Sequence, residues 1–216
     1  SLQVLLDILE GELTATPERD DDAQLRELRA KLIGYAPAAD ELREVILRTI
    51  EGALSEDALL VNDMTMLCYG AVGSYPAKGP RTFIFPRGLG TLGFSLPAAL
   101  GAKIGQPDRQ VVALIGDGGF LFTASELATG VKYGLGVPII LLNNQAYGVV
   151  QLNQLRRYGR SVACDIVNPD FVAYARAFGA HGERIEPRDI PARLPEALRE
   201  AFARQVPTVI ELPVDF

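Results

Sequence analysis

The sequence predicts an α/β fold: a doubly wound, mostly parallel six-stranded sheet with helices on both faces. Three observations lead there. From Ala58 onward, short apolar runs of strand length alternate with amphipathic stretches of helix length, the pattern of repeated βαβ units. The runs Gln110–Ile115 and Val137–Leu142 are apolar almost without interruption and rich in β-branched residues, as strands covered on both faces must be. Each run then breaks abruptly, one into Gly116-Asp117-Gly118-Gly119 and the other into Asn143-Asn144, so polar chemistry gathers where strands stop.

Taken in order, residues 1–35 are the least sheet-like part of the chain. Leu2, Leu5, Leu6 and Leu9 fit a short helix, and Leu25, Leu28 and Leu32 fit a second, with an acidic run from Glu18 to Asp22 between them. A solvated linker carrying two docking helices accounts for this pattern, and Tyr35-Ala36-Pro37 ends it. We place a boundary there, with residues 1–38 preceding a domain of residues 39–216. Asp40 is positioned to cap a firmer helix, Glu41–Leu54, whose Leu42, Val45, Ile46 and Ile50 share one face. Beyond it we expect strands near 58–62, 82–85, 110–115, 137–142, 181–185 and 207–212. Helices are expected near 64–73, 94–105, 124–133, 147–158, 170–178 and 191–204. Thr123 and Glu126 have capping-box spacing, Asn168-Pro169 reads as an N-cap with a first-turn proline, and Gly179 reads as a C-cap.

Composition narrows the function classes. An apolar content of 48% supplies a core, and a net charge of −6 without a basic cluster argues against nucleic acid. No apolar run approaches the ~20 residues of a membrane-spanning helix, and no basic segment precedes an apolar one near Ser1. Cys68 and Cys164 match no metal or redox spacing, so reduced thiols in the cytoplasm are expected. His181, the one histidine, begins a strand outside every motif and is read as structural.

The two strand ends point to a site. In a βαβ unit both strands finish at the same sheet edge, where ligands of open α/β sheets bind. Asp117 and Asn144 should therefore meet despite the 26 residues between them. A carboxylate, an amide oxygen and nearby carbonyls are the hard ligands that Mg²⁺ or Ca²⁺ takes. Glycines at a helix start let backbone N–H groups meet an anion. Metal and phosphate cradle together imply a diphosphate cofactor. A rival motif exists: Gly88-Leu89-Gly90-Thr91-Leu92-Gly93 satisfies G-x-G-x-x-G, and Asp117 follows 24 residues after Gly93, as a ribose-binding acid of an NAD(P) oxidoreductase would. Against it, Pro86-Arg87 separates strand from glycines, Asp117 sits in a phosphate-type turn, and Asn143-Asn144 has no use.

With these segments placed, the sequence resembles the thiamine diphosphate-dependent enzymes. More narrowly, it is similar to the diphosphate-binding domain of the acetolactate synthase, benzoylformate decarboxylase and pyruvate oxidase superfamily. The resemblance covers about residues 40–212 and rests on Gly90-Thr91-Leu92-Gly93-Phe94-Ser95-Leu96-Pro97-Ala98-Ala99, Gly116-Asp117-Gly118 and Asn143-Asn144, in that order. It implies a thiamine diphosphate-binding fold, with residues 1–38 as linker and tail of a middle domain. It also implies that Asp117, Asn144 and the carbonyl of Ala146 hold Mg²⁺. Gly118 and Gly119 match the turn that meets the diphosphate, and Thr65, within Asn62-Asp63-Met64-Thr65, matches a phosphate donor. Gly116, Tyr147 and Gly148 complete the cofactor-binding set. Leu92 matches the apolar wedge that bends the cofactor, and Gly90 the carbonyl that accepts from its 4′-amino group. These two are the residues nearest the chemistry.

The family uses the cofactor as an electron sink when a 2-keto acid loses CO₂. The resemblance thus implies a 2-keto acid decarboxylase or carboligase, cytoplasmic, acting as a homodimer or tetramer. The acid facing the pyrimidine sits, in the family, on a pyrimidine-binding domain from the same or another subunit, so this chain alone is expected to be inactive. The apolar stretch Ala146-Tyr147-Gly148-Val149-Val150 is closer to acetolactate synthase than to simple decarboxylases, whereas Met64-Thr65-Met66-Leu67-Cys68 lacks the polar residues that synthases carry there. A non-catalytic relative of the fold is the remaining alternative.

Overall fold

The computed structural model describes residues 41–215. The chain divides into two units, Ser1–Pro37 and Ala38–Phe216, and the account below is of the second. The two helices expected within residues 1–35 and the Asp40 cap lie outside the described residues.

Six strands form one sheet in the order β2-β1-β3-β4-β6-β5. They are β1 (Leu59–Asn62), β2 (Phe83–Ile84), β3 (Val111–Gly116), β4 (Pro138–Asn143), β5 (His181–Arg184) and β6 (Thr208–Pro213). Every pairing is parallel, with Val61 beside Ala113, Ile115 beside Leu141 and Ile140 beside Ile210. Each strand lies within two residues of its expected place.

Successive side chains point to opposite faces of a strand, and the two faces build two cores. Leu59, Val61, Ala113, Ile115, Ile139, Leu141 and Val209 pack against α3 (Ser95–Gly105), α4 (Asp117–Thr123) and α7 (Phe171–Ala177). Leu60, Val112, Leu114, Ile140, Leu142, Ile210 and Leu212 pack on the other side, against α1 (Glu41–Ala53), α2 (Met66–Ser74) and α8 (Ile190–Ala203). Ile46 and Ile50 carry α1 onto that core and are fully buried, while Leu42 and Val45 flank them. Two further helices are α5 (Leu127–Lys132) and α6 (Gly148–Tyr158). Among the described residues no helix is long and apolar enough to cross a membrane.

Two local readings are corrected. The helix expected from residue 124 begins at Asp117, capped by Gly116 in an extended conformation, and reaches α5 through a 3₁₀ turn at Ala124–Glu126. Thr123 therefore lies at the end of a helix and makes no cap. Its Oγ1 donates to the Gly93 carbonyl at 3.1 Å, and Glu126 instead accepts from Thr129. Asn168 does not cap α7 either: Asp170 does, accepting from the Ala173 N–H at 2.9 Å. In both places a residue of the right type for a cap bonds instead to a partner 30 or 51 positions away in the sequence. Gly179 ends its helix as expected, with φ +81° and its N–H on the Arg176 carbonyl.

Phe120 links this core to the polar edge. It is fully buried three residues after Asp117 and meets Phe171 edge-on at 5.6 Å and Tyr174 at 6.2 Å. Phe120→Ala is expected to lower unfolding free energy by about 3–5 kcal/mol, read as a shifted midpoint in urea.

Candidate functional site

From β1 the chain steps outward to β2, while β3 and β4 extend the sheet the other way. The strand order reverses between β1 and β3, and a crevice at the carboxyl ends of the strands is expected at such a point. A cleft of about 270 Å³ opens there. Thr65 lines it from the start of α2, Gly90 and Leu92 from the loop before α3, and Gly116, Asp117, Gly118 and Gly119 from the β3–α4 junction. Asn144, Ala146, Tyr147 and Gly148 line it from the turn after β4. All the residues assigned to cofactor or metal from the sequence thus line one cleft.

Behind the first wall lies Asp63, fully buried at the end of β1. Its Oδ1 accepts the Met64 N–H at 2.8 Å and the Gly93 N–H at 3.2 Å, and its Oδ2 accepts the Ser95 N–H at 2.9 Å. Burial pushes its pKa up, against the pull of these amides. The carboxylate fixes the loop carrying Gly90 and Leu92. Gly93 completes it, at φ +78°, where a Cβ would lie 2.9 Å from the Phe122 Cβ. The same bonds count against the dinucleotide reading: the Gly93 and Ser95 amides at the start of α3, where a pyrophosphate would sit, are already occupied by Asp63.

Asp117 opens α4 and is 2% exposed. Its Oδ1 accepts the Gly118 N–H at 2.8 Å, and its Oδ2 accepts the Asn168 side-chain amide at 2.7 Å. Burial is again the largest influence and raises its pKa above the usual 3.8. Beside it, Thr65 Oγ1 caps α2 by accepting the Cys68 N–H at 3.0 Å, which leaves the hydroxyl hydrogen to donate. Burial holds the neighbouring Cys68 thiol up to about 12, so it is a packing group.

The turn after β4 sorts its residues by side. Gln145 has φ +56°, a conformation costing a non-glycine residue about 1–2 kcal/mol. On either side of it, Asn144 and Ala146 line the cleft, whereas Asn143 and Gln145 line a separate polar hollow with Asn168 and Glu211. Asn143 Oδ1 accepts the Gln145 N–H at 3.2 Å, and its Nδ2 donates to Glu211 at 2.6 Å. The Tyr147 N–H on the Cys164 carbonyl and the Ile166 N–H on the Gln145 carbonyl, both 2.8 Å, tie the turn down. The Tyr147 ring closes on Gly118 so tightly that a Cβ there would lie 2.6 Å from it.

Among the described residues no group of three His, Cys, Asp or Glu side chains is placed to hold a metal. A cation in this cleft would rest on one carboxylate, one amide and a main-chain carbonyl, and would draw its other ligands from phosphate oxygens and water. That is how Mg²⁺ is commonly held. Gly118 and Gly119 line the cleft at a helix start, a setting that suits the phosphates themselves, so the residues fit a diphosphate with its metal. Sequence reasoning missed the apolar lining from Met64, Met66, Tyr69, Leu142, Val149, Val150 and Val214. It also missed the pinning role of Asp63, for which the polar pair Asn62-Asp63 closing an apolar strand was the available signal.

The description "thiamine pyrophosphate enzyme, C-terminal TPP binding domain" belongs to the family model that matches residues 63–212. A probable 2-ketoarginine decarboxylase of Pseudomonas aeruginosa is 37% identical over 211 residues, covering 94% of this chain and 37% of its own. An acetolactate synthase of Bacillus subtilis is 41% identical over 171 residues, covering 79% of this chain and 30% of its own. Among solved structures, a thiamine diphosphate-dependent 4-hydroxybenzoylformate decarboxylase of Rhodococcus jostii superimposes with a TM-score of 0.72 at 30% identity, over 83% of this chain and 33% of that one. The chain spans about a third of the length of these relatives.

Asp63 offers a test separate from the cleft lining, because it touches the loop and not the cavity. Asp63→Ala strands three N–H groups at about 1–3 kcal/mol each. Unfolding in urea should show a loss of about 3 kcal/mol or more, and calorimetry should show weaker thiamine diphosphate binding.

Proposed function

Since the chain belongs to the thiamine pyrophosphate enzymes, as their C-terminal TPP-binding domain, we propose that its cleft holds the diphosphate end of thiamine diphosphate with a divalent cation, in an enzyme that decarboxylates or ligates a 2-keto acid. The observation that carries this is the meeting of Asp117, Asn144 and Ala146 with Gly118, Gly119 and Thr65 around one cavity. Bound there, the cofactor supplies an electron sink for the departure of CO₂ from a 2-keto acid.

The chain's own residues then have separable tasks. Asp117, Asn144 and the Ala146 carbonyl hold Mg²⁺. Thr65 and the Gly119 amide meet phosphate oxygens, with Gly116, Gly118, Tyr147 and Gly148 shaping the space around them; the Gly118 N–H stays on Asp117 Oδ1. Leu92 would pack against the bound cofactor, and Gly90 would offer its carbonyl to the aminopyrimidine. Met66, Leu142, Val149 and Val214 give the cavity an apolar lining. The rival reading as an NAD(P) domain has no such set, and its phosphate amides are taken.

The cleft is incomplete by itself. Asp117 is the one acid among its lining residues, and the metal claims it. We assign the proton-handling acid to a pyrimidine-binding domain, from the same or another subunit of a homo-oligomer in the cytoplasm, with residues 1–38 leading in from a preceding domain. Exposed apolar side chains at the mouth, Tyr69 at 51% and Val150 at 50%, suit such cover. One relative is named a probable 2-ketoarginine decarboxylase, a second a 4-hydroxybenzoylformate decarboxylase and a third an acetolactate synthase, names that support the reaction class.

Asp117→Ala in the intact protein is expected to abolish Mg²⁺-dependent thiamine diphosphate binding in calorimetry; unchanged affinity would overturn the assignment. Protons compete with metal for the Asp117 carboxylate. Because burial raises its pKa, binding should weaken with falling pH at values above the ordinary 3.8. The 216-residue chain alone, given saturating cofactor and Mg²⁺, is expected to consume neither pyruvate nor benzoylformate. Turnover matching the intact enzyme would mean that no second domain is needed.

A further inference from the structure

We propose that Asn168 is a positioning residue for the metal site: it orients the Asp117 carboxylate through a side-chain relay that begins at Glu211, without lining the cleft. This rests on the reading of Asp117 as a metal ligand. The relay is continuous. Glu211, on β6 and 3% exposed, accepts from Asn143 Nδ2 at 2.6 Å. Asn143 Oδ1 accepts from Asn168 Nδ2 at 2.9 Å, and the same Nδ2 donates to Asp117 Oδ2 at 2.7 Å.

Chemistry settles the direction of each amide. Glu211 offers only acceptors in its ionised form, so Asn143 must turn its NH₂ toward it and its oxygen toward Asn168. Turned the other way, the Asn168 oxygen would face two more oxygens at hydrogen-bond distance. Its NH₂ therefore points at Asp117 and Asn143, and its own Oδ1 is left buried without a partner.

An orphaned buried acceptor weakens a fold, and the helix that follows has no need of Asn168, because Asp170 caps it. What the arrangement accomplishes is at Asp117. With Oδ1 on the Gly118 amide and Oδ2 on Asn168, the carboxylate has one orientation, and its remaining lone pairs are presented before a cation arrives. Mg²⁺ demands near-ideal octahedral geometry, whereas Ca²⁺ accepts irregular shells. Losing the orienting bond should therefore penalise Mg²⁺ more than Ca²⁺.

The test measures thiamine diphosphate binding to the intact protein by calorimetry in Mg²⁺ and in Ca²⁺, with melting of the cofactor-free protein read beside it. Asn168→Ala should weaken Mg²⁺-supported binding by about tenfold to a hundredfold, weaken Ca²⁺-supported binding less, and leave melting near wild type. Asn168→Ser, which keeps one donor, should fall between. Asp170→Ala, which removes the helix cap, should lower melting and change neither affinity. Asn168→Ala affinities within about threefold of wild type, while Asp117→Ala abolishes binding, would overturn the relay and leave the metal site standing. Equal losses in both metals, or failure of Asn168→Ala to fold, would assign Asn168 to the fold and overturn the proposal as well. Unchanged binding in Asp117→Ala would overturn both.

Discussion

Parallel pairing of β3 between β1 and β4 is the constraint from which the cleft follows. In a parallel ladder all carboxyl ends fall on one edge, and the register sets Asn62 beside Leu114 and Gly116 beside Leu142. The polar residues that end each strand are then delivered within reach of one another. Antiparallel pairing of the same strands would have sent Asp117 and Asn144 to opposite edges. Parallel pairing in turn requires crossovers, and the two buried layers of alternating Val, Ile and Leu provide the apolar faces against which those crossover helices settle.

Two buried carboxylates at this edge have raised pKa values for the same leading reason, burial, yet their surroundings divide their roles. Asp63 accepts three main-chain amides and faces no cavity. Its charge is absorbed by backbone dipoles and serves to hold a loop. Asp117 has one backbone amide, one side-chain amide and an open side toward the cleft. A charge left half-compensated in a low-dielectric site is costly, and a cation placed there relieves that cost. The two acids thus differ in setting: Asp63 is turned wholly to the backbone, whereas Asp117 also faces the cleft.

Close approach is the second physical theme. The loop with Gly93 packs on α4, and Gly118 packs under Tyr147, at separations that leave no room for a Cβ. The left-handed Gln145 turns Asn144 and Ala146 to one side and Asn143 to the other. One short turn therefore serves both the cleft and the hollow behind it.

Period and punctuation are local properties, so strand and helix placement, the two-faced burial of the sheet and the edge at which Asp117 and Asn144 meet were determined by the sequence alone. The cleft-lining glycines were legible for the same reason: their neighbours in sequence are their neighbours in the turn. Tertiary structure decided the hydrogen bonds that organise those residues. Asp63 reaches Ser95 across 32 positions, Asn168 reaches Asp117 across 51, and Asn143 reaches Glu211 across 68. Asn, Asp and Thr serve equally well as local caps and as distant partners, with nearly equal hydrogen-bond energies. Only the folded distances choose between the two, which is why Thr123 and Asn168 read as caps in the sequence and act as long-range partners in the fold.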